Sequence, residues 1–458
     1  MEDVQVVIVG AGMAGLCAAL EASRGGVNVL VLEKQPAIGG SSLLSGRFMA
    51  FAETDFQRKL GIEDSTEKLM QDLLEVGHFK NKKHLVEAYG CHQLATYNWL
   101  VENGVVFQDC QAVSGHSEPR GHTIIPDQAI LQLKQLAEEA GATFVTNANV
   151  TRLLTEQGKV IGVRYEHDNQ VIEQVATCGV ILTAGGFSQS EDLLEQFAPH
   201  LANTVRLGGE GNQGDGIKLA AAVGAWVEDL AYLKGTYGFH PASTNAYKRQ
   251  AHAFYKGGII VNRDGARIVN ESISYKLLGD AALAQPASKT YQIWDQTVMD
   301  KSVSDDALYD FDFLYREGLI MSAPTIEQLA EKTRLPIEAL KQTVASYSAD
   351  VKQGVDQAFG RKTLSHTFGT PTPIETAPFY AMETATAMLA TYAGVQVDEE
   401  TRVLNPFGEP IDGLFAAGEM VGGFHGAGYM TGSSLGKAAI FGRIAARQAI
   451  ASLEKEKV

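Results

Sequence analysis

Val6-Val7-Ile8-Val9-Gly10-Ala11-Gly12-Met13-Ala14-Gly15 decides the fold: an apolar strand runs straight into a G-x-G-x-x-G turn. Gly10 permits the tight turn, Gly12 lets the backbone approach a pyrophosphate, and Gly15 lets the next helix pack close to its strand. The start of that helix offers unpaired N–H groups and a partial positive charge to phosphates. A second apolar strand, Val27-Asn28-Val29-Leu30-Val31-Leu32, closes on Glu33, eighteen residues past Gly15. An acid there accepts the hydroxyls of an adenosine ribose. Strand, glycines, helix and acid in register predict a dinucleotide-binding βαβ unit, with Ala14 counted among its cofactor positions.

Composition narrows the class. A chain of 458 residues suggests about two or three domains, and 45% hydrophobic with 20% charged residues is ordinary globular composition. A net charge of −16 argues against nucleic-acid or anionic-membrane partners. No apolar run is long enough for a membrane span. The first strand, beginning by Val4, is expected to leave no room for a secretory signal, so the expected compartment is the cytoplasm. Cys17, Cys91, Cys110 and Cys178 form no C-x-x-C, which removes a c-type haem and gives no iron–sulfur or zinc framework. No metal is expected, and each cysteine reads as a small buried hydrophobe.

Which dinucleotide binds is decided further along. Gly39-Gly40-Ser41-Ser42-Leu43-Leu44-Ser45-Gly46 supplies small residues and hydroxyls that a nicotinamide domain has little use for and a flavin needs. Val180-Ile181-Leu182-Thr183-Ala184-Gly185-Gly186-Phe187 is a strand ending in a small-residue turn. Near the C-terminus stand Gly413-Leu414-Phe415-Ala416-Ala417-Gly418-Glu419 and Gly422-Gly423-Phe424-His425-Gly426-Ala427-Gly428-Tyr429-Met430-Thr431-Gly432-Ser433-Ser434-Leu435. This trio, in this order, resembles the FAD-dependent fumarate reductase and succinate dehydrogenase flavoprotein family. Gly214-Asp215-Gly216, Val261-Asn262-Arg263-Asp264-Gly265 and Asn270-Glu271 extend the resemblance over nearly the whole chain. It implies FAD, held at Gly10, Gly12, Ala14, Gly15, Glu33, Gly40, Ser41, Ser42, Ser45, Gly46, Val150, Ala184, Gly185, Asp215, Gly418, Glu419, Ser434 and Leu435. No histidine lies within Gly39–Gly46, so the flavin is expected to be noncovalent.

The expected fold class is α/β: a Rossmann-type FAD-binding domain with an inserted antiparallel meander and a separate α+β cap over the substrate. Helices are expected at Thr66–Val76, Lys82–Glu102, Asp127–Ala140 and Gly214–Val223, and meander strands at Val150–Thr155, Val160–Glu166 and Val171–Ala176. The cap is expected over 234–372, between hinges at Gly235–Gly238 and Pro371–Pro373, with 1–233 and 373–458 forming the FAD-binding domain. Within it Thr325 caps a first helix and a second runs from Pro336 to about Val351. A last helix is expected over Ser434–Leu453.

Departures from the family pattern bear on the reaction. The family arginine that protonates substrate falls at Tyr275, after Asn270-Glu271-Ser272-Ile273-Ser274. The family arginine that holds a carboxylate falls at Tyr429, and the paired histidines are replaced within Leu389-Ala390-Thr391-Tyr392-Ala393-Gly394. His240-Pro241 matches the family's His-Pro. A dicarboxylate needs fixed cationic donors, and tyrosine cannot supply the bidentate geometry of arginine. Neutral hydroxyls suit a carbonyl and its enolate, and Tyr429-Met430-Thr431-Gly432-Ser433-Ser434-Leu435 resembles the 3-ketosteroid dehydrogenases of the same superfamily. The enolate oxygen is assigned to the Tyr429 hydroxyl with a backbone N–H near Ser433 or Ser434. Removal of the α-proton is assigned to Tyr275, directly or through Thr431, although an unperturbed tyrosine titrates near ~10. His240, Ser433 and Ser434 are expected at the substrate.

The expected function is FAD-dependent desaturation of a CH–CH bond beside a ketone, cyclic by this resemblance, or the reverse enone reduction, with an external electron acceptor. The alternative is an enoate reductase of the fumarate or urocanate type, using Arg47, Lys234, Arg249 or Lys256 for its carboxylate. A flavin subunit that only relays electrons is a third reading, against which the hydroxyl-rich Tyr429–Ser434 loop argues. His78, His84 and His92 read as solvated helix faces, while His116 and Arg120 fall in a loop the sequence alone does not place.

Overall fold

A computed structural model describes residues 3–247, 249–365 and 368–456. It divides the chain into two compact units: Met1–Ala198, Gly208–Leu233 and Ala390–Val458 form unit 1, and Pro199–Leu207 with Lys234–Leu389 form unit 2. Unit 1 opens with β1 (Val6–Val9), α1 (Met13–Arg24), β2 (Val29–Leu32), β3 (Thr143–Val145), β4 (Asn149–Glu156), β5 (Lys159–His167), β6 (Gln170–Val175) and β7 (Gly179–Leu182). Unit 2 supplies β8 (Thr236–Phe239), β9 (Ile259–Asn262), α2 (Tyr275–Leu283), β10 (Thr290–Asp295), β11 (Ile320–Ala323) and β12 (Phe379–Met388). Unit 1 closes with β13 (Arg402–Leu404), β14 (Pro410–Ala416) and α3 (Ser433–Glu456).

The sheet of unit 1 runs β13-β14-β7-β1-β2-β3, parallel except where β13 meets β14. Every residue of β1, β2 and β7 is buried. Their unbroken Val/Ile/Leu runs are what a parallel sheet covered on both faces requires. Strands β4, β5 and β6 form the expected meander as a separate antiparallel sheet. Helices stand at Thr66–Val76, Lys83–Glu102, Pro126–Glu139 and Asp215–Ala222, each within a residue of expectation.

Unit 2 is built on β12, which pairs antiparallel with β8, β10 and β11, while β10 carries β9. One face packs Ile259, Ile293, Leu340, Tyr347 and Ile374 into a core, and another packs Trp294, Phe311, Tyr380 and Met382. Because β12 carries four partners, the expected boundary at 372 moves: residues 373–389 belong to unit 2, and so does 199–207, whose Val205–Arg206 pairs with β12. The expected hinges also differ. Thr236–Phe239 is the buried strand β8, and Pro371–Pro373 lies inside unit 2.

Two buried ion networks hold these units. In unit 1, Arg120 is 0% exposed; it donates to both oxygens of Asp64 at 2.6 and 2.8 Å and also pairs with Asp72. In unit 2, Arg267 bridges Glu271 and Asp356, and Glu271 also accepts from the Ile260 N–H. Glu271 is therefore a structural tie. Replacing Arg120 by Met leaves two buried carboxylates without their cation, and such a loss costs about 3–5 kcal/mol. Urea unfolding of Arg120→Met should show this as a lowered midpoint; a change below about 1 kcal/mol would contradict the network's role.

Candidate cofactor and active site

The carboxyl ends of the unit 1 strands open onto a cavity lined by glycine backbone, small side chains and the Glu33 carboxylate. Gly10 sits at φ +105°, and a Cβ there would lie 2.6 Å from the Thr183 carbonyl oxygen. A Cβ on Gly15 would lie 2.0 Å from the Gly10 oxygen, so only glycine lets α1 come so near its strand. At Gly12 the nearest atom would be Ser42 Oγ at 3.4 Å, which leaves that backbone approachable from the cavity. Helix α1 starts without a side-chain cap on its Gly12. One of its first amides, Met13 N–H, donates to Ser42 Oγ at 3.0 Å.

Glu33 ends β2 with its carboxylate on the cavity wall, accepting from Ala11 N–H and Gln35 N–H at 2.9 Å each. Ser41 Oγ accepts from Gly209 N–H at 2.9 Å and from Asn212 Nδ2 at 3.1 Å. Asn212 also donates to Glu419, and Lys34 bridges Asp215 at 2.6 Å. Gly10, Gly12, Ala14, Glu33, Gly40, Ser41, Ser42, Val150, Ala184, Gly185, Asp215, Gly418 and Glu419 all line the cavity. Gly15, Ser45, Gly46, Ser434 and Leu435 are not on its wall. Gly15 is spent on helix packing, and Ser45 Oγ accepts from the Arg47 amide within its own turn. Sequence reasoning missed Lys34, Gln35, Gly209, Gly211 and Asn212. The signal was present in the glycine-rich run Gly208-Gly209-Glu210-Gly211-Asn212.

These residues fit an FAD. A helix start faces the cavity beside a glycine backbone for the phosphates, and a carboxylate stands at the end of β2 for a ribose.

The loop before α3 carries the aromatic part of the site. Tyr429 stacks on Tyr392 with ring centroids 4.9 Å apart, and His425 lies 5.3 Å away. Burial pushes the Tyr429 phenol up to about 12, against hydrogen bonds from the Gly432 and Ser434 backbone and the Ser434 side chain. It is therefore a neutral O–H donor at neutral pH, its oxygen already polarised by the start of α3. A second loop clamps this one. Thr431 N–H donates to the Ser114 carbonyl at 3.0 Å, and His116 Nε2 donates to the Thr431 carbonyl at 2.6 Å. Burial drives the His116 ring down to about 3, so it stays neutral. Ser117 and Arg120 tie the clamp to Asp72. Ser433 Oγ donates to the Met430 carbonyl at 2.7 Å.

In unit 2, Tyr275 opens α2 behind its N-cap Ser274 and is 9% exposed. Its ring lies 5.5 Å from buried His252. His240 follows β8; its Nδ1 accepts from the Ala242 amide at 3.1 Å, and burial lowers its pKa. The candidate carboxylate binders there are engaged: Lys234 with Asp280, Arg249 with the Ala242 carbonyl and the Tyr247 ring, and Lys256 over the Tyr309 ring. Two minor expectations change. His84 Nε2 bonds the Val397 carbonyl at 3.1 Å instead of facing water, and Cys91 is exposed rather than buried.

Residues 5–435 match the family described as FAD binding domain. The chain belongs to this family. FAD is its cofactor, and the protein is an FAD-dependent oxidoreductase. Among curated relatives, the NADH:fumarate oxidoreductase of Klebsiella pneumoniae (strain 342) is 31% identical over 97% of this chain. The chain spans 47%, about half, of that relative's length. Among solved structures, the open conformation of a flavocytochrome c3 fumarate reductase superposes with TM-score 0.81 and 28% identity over 98% of this chain and 78% of that one. A 3-ketosteroid-Δ4-(5α)-dehydrogenase from Rhodococcus jostii RHA1, in complex with 4-androstene-3,17-dione, gives TM-score 0.81 and 26% identity over 98% and 97% of the two chains. No helix among the described residues is long and apolar enough to cross a membrane.

Glu33→Ala in this flavoprotein removes a charged acceptor for the ribose, worth about 1.5–3 kcal/mol, or roughly ten- to hundredfold in FAD affinity. Fluorescence titration of the apoprotein checks it; unchanged affinity would remove Glu33 from the site. Heat-denatured wild-type protein should release its FAD to the supernatant.

Proposed function

We propose that this flavoprotein acts on a CH–CH bond beside a carbonyl, taking a saturated, cyclic ketone to its α,β-unsaturated form or running the reverse. The observation that carries this reading is Tyr429: a neutral phenol stands where the family places arginine, its oxygen accepting from the Gly432 and Ser434 amides. A buried neutral donor stabilises a carbonyl oxygen as it becomes an enolate, without the desolvation cost of an unpaired guanidinium. The likeness to a ketosteroid dehydrogenase, 26% identical over nearly both full lengths, supports it. Bound FAD supplies the acceptor for the β-hydride. Thr431, Ser433 and Ser434 shape the donor loop around Tyr429. Tyr275 takes the α-proton, a role resting on its register after Asn270-Glu271. His240 orients substrate, and electrons leave to an external acceptor.

An enoate reductase remains the second reading, supported by the fumarate-reducing relatives. Lys234, Arg249 and Lys256 are engaged locally, which leaves Arg47 as its cation: the guanidinium has no side-chain partner among the described residues. Anaerobic mixing separates the two readings. Bleaching of the flavin by a cyclic ketone supports the first, and reoxidation of prereduced flavin by fumarate supports the second.

Tyr429→Phe should keep FAD and lose roughly a hundredfold or more in kcat, with weaker ligand binding. Tyr275→Phe should depress kcat with little change in KM and alter the pH profile of kcat/KM. Near-native rates in Tyr275→Phe would remove it as the base.

A further inference from the structure

Lys437 lies in α3, one position before Ala438, which lines the FAD cavity. It is 0% exposed. An ammonium brings three donors, yet among the described residues this one meets a single acceptor, the Val421 carbonyl at 2.9 Å. The Phe424 ring stands 5.5 Å from Nζ. Glu419 and Asp229 are the carboxylates that act on it. Glu419 is held by Thr391 N–H at 2.8 Å and Asn212 at 3.1 Å and lines the cavity. Asp229, partly exposed, accepts from Gly423 N–H at 2.7 Å. Lys82 and Glu228, paired at 2.9 Å, complete the charges around that glycine.

Such a lysine is poorly solvated as a cation and has no carboxylate in contact to hold its proton. We propose that Lys437 is a redox-linked protonation site, taking one proton from solvent when two electrons enter the bound FAD and returning it when they leave. Reduction at a mediated electrode balances as follows: two electrons pass from the electrode to FAD, FAD takes up its own proton from solvent, and the Lys437 amine takes up one more to become ammonium. Reoxidation reverses both uptakes. The driving force is the attraction of the ammonium to the negative charge gained in the cavity. Burial brings Lys437 down to about 8 and raises Asp229 to about 6. Below about pH 8 the lysine is already charged and the step is silent; above it, the step appears. The inference rests on FAD binding alone and stands or falls apart from the ketone reading.

The test is proton uptake on electrochemical reduction of the FAD-loaded protein, read by back-titration at constant pH, together with the flavin midpoint potential across pH. Wild-type uptake should rise by one proton per flavin between about pH 7 and about pH 9. Lys437→Arg, charged at every accessible pH, and Lys437→Met, never charged, should both lack the rise. The arginine variant should hold the higher potential above pH 8. Wild-type uptake that stays level across this range overturns the proposal whatever the variants do. Equal rises in wild type and Lys437→Arg overturn it as well.

Discussion

Thr183 pressed against Gly10 is the contact on which the rest depends. Its hydroxyl donates to the Gly10 and Val9 carbonyls at 2.7 and 3.0 Å, and its own carbonyl occupies the space a Cβ at Gly10 would need. The two parallel strands β1 and β7 therefore end flush, and α1 can begin immediately beyond. From that start Ala11 N–H reaches Glu33 at the end of β2. Ligands of open α/β sheets bind beyond the carboxyl ends of the strands, and here one glycine makes those ends close enough to form a single wall. Any side chain at Gly10 would push β7 away and open the cavity along its length.

The cofactor cavity and the donor loop use different physics. The cavity presents backbone amides, small side chains and a carboxylate, which suit phosphate and ribose. The loop around Tyr429 presents a polarised phenol among aromatic rings, which suits a neutral oxygen next to an apolar ring. Its position is set from a distance in sequence: His116 and Ser114 hold Thr431, and the same segment is anchored through Ser117, Asp72 and Arg120. The imidazole there is uncharged chiefly because it is buried, and the neighbouring Arg120 cation adds to that.

What the sequence displayed and what it hid follow from the range of the forces involved. The βαβ start, the meander and the helices were legible because hydrophobic period, caps and turns are local, as at Thr325, whose hydroxyl accepts from Gln328 N–H. Such local signals do not reach the boundary of unit 2, since β12 joins it by pairing with strands far earlier in the chain. Asn262 and Glu271, read as family markers, prove to be a turn and an ion tie: Asn262 Oδ1 accepts from Asp264 and Ala266 amides. Asn212 and Lys437 escaped notice for a related reason. Nothing beside a polar residue in sequence tells whether tertiary contacts will bury it.

The walls of the cavity come from the first strand, from residues 209–219 and from Gly418, Glu419 and Ala438. A nascent chain holds them all only once Ala438 has been added. A ribosome must therefore deliver everything from β1 through Ala438 before the flavin has a complete place to bind, and the opening βαβ unit waits through that synthesis with its phosphate-facing amides exposed to water.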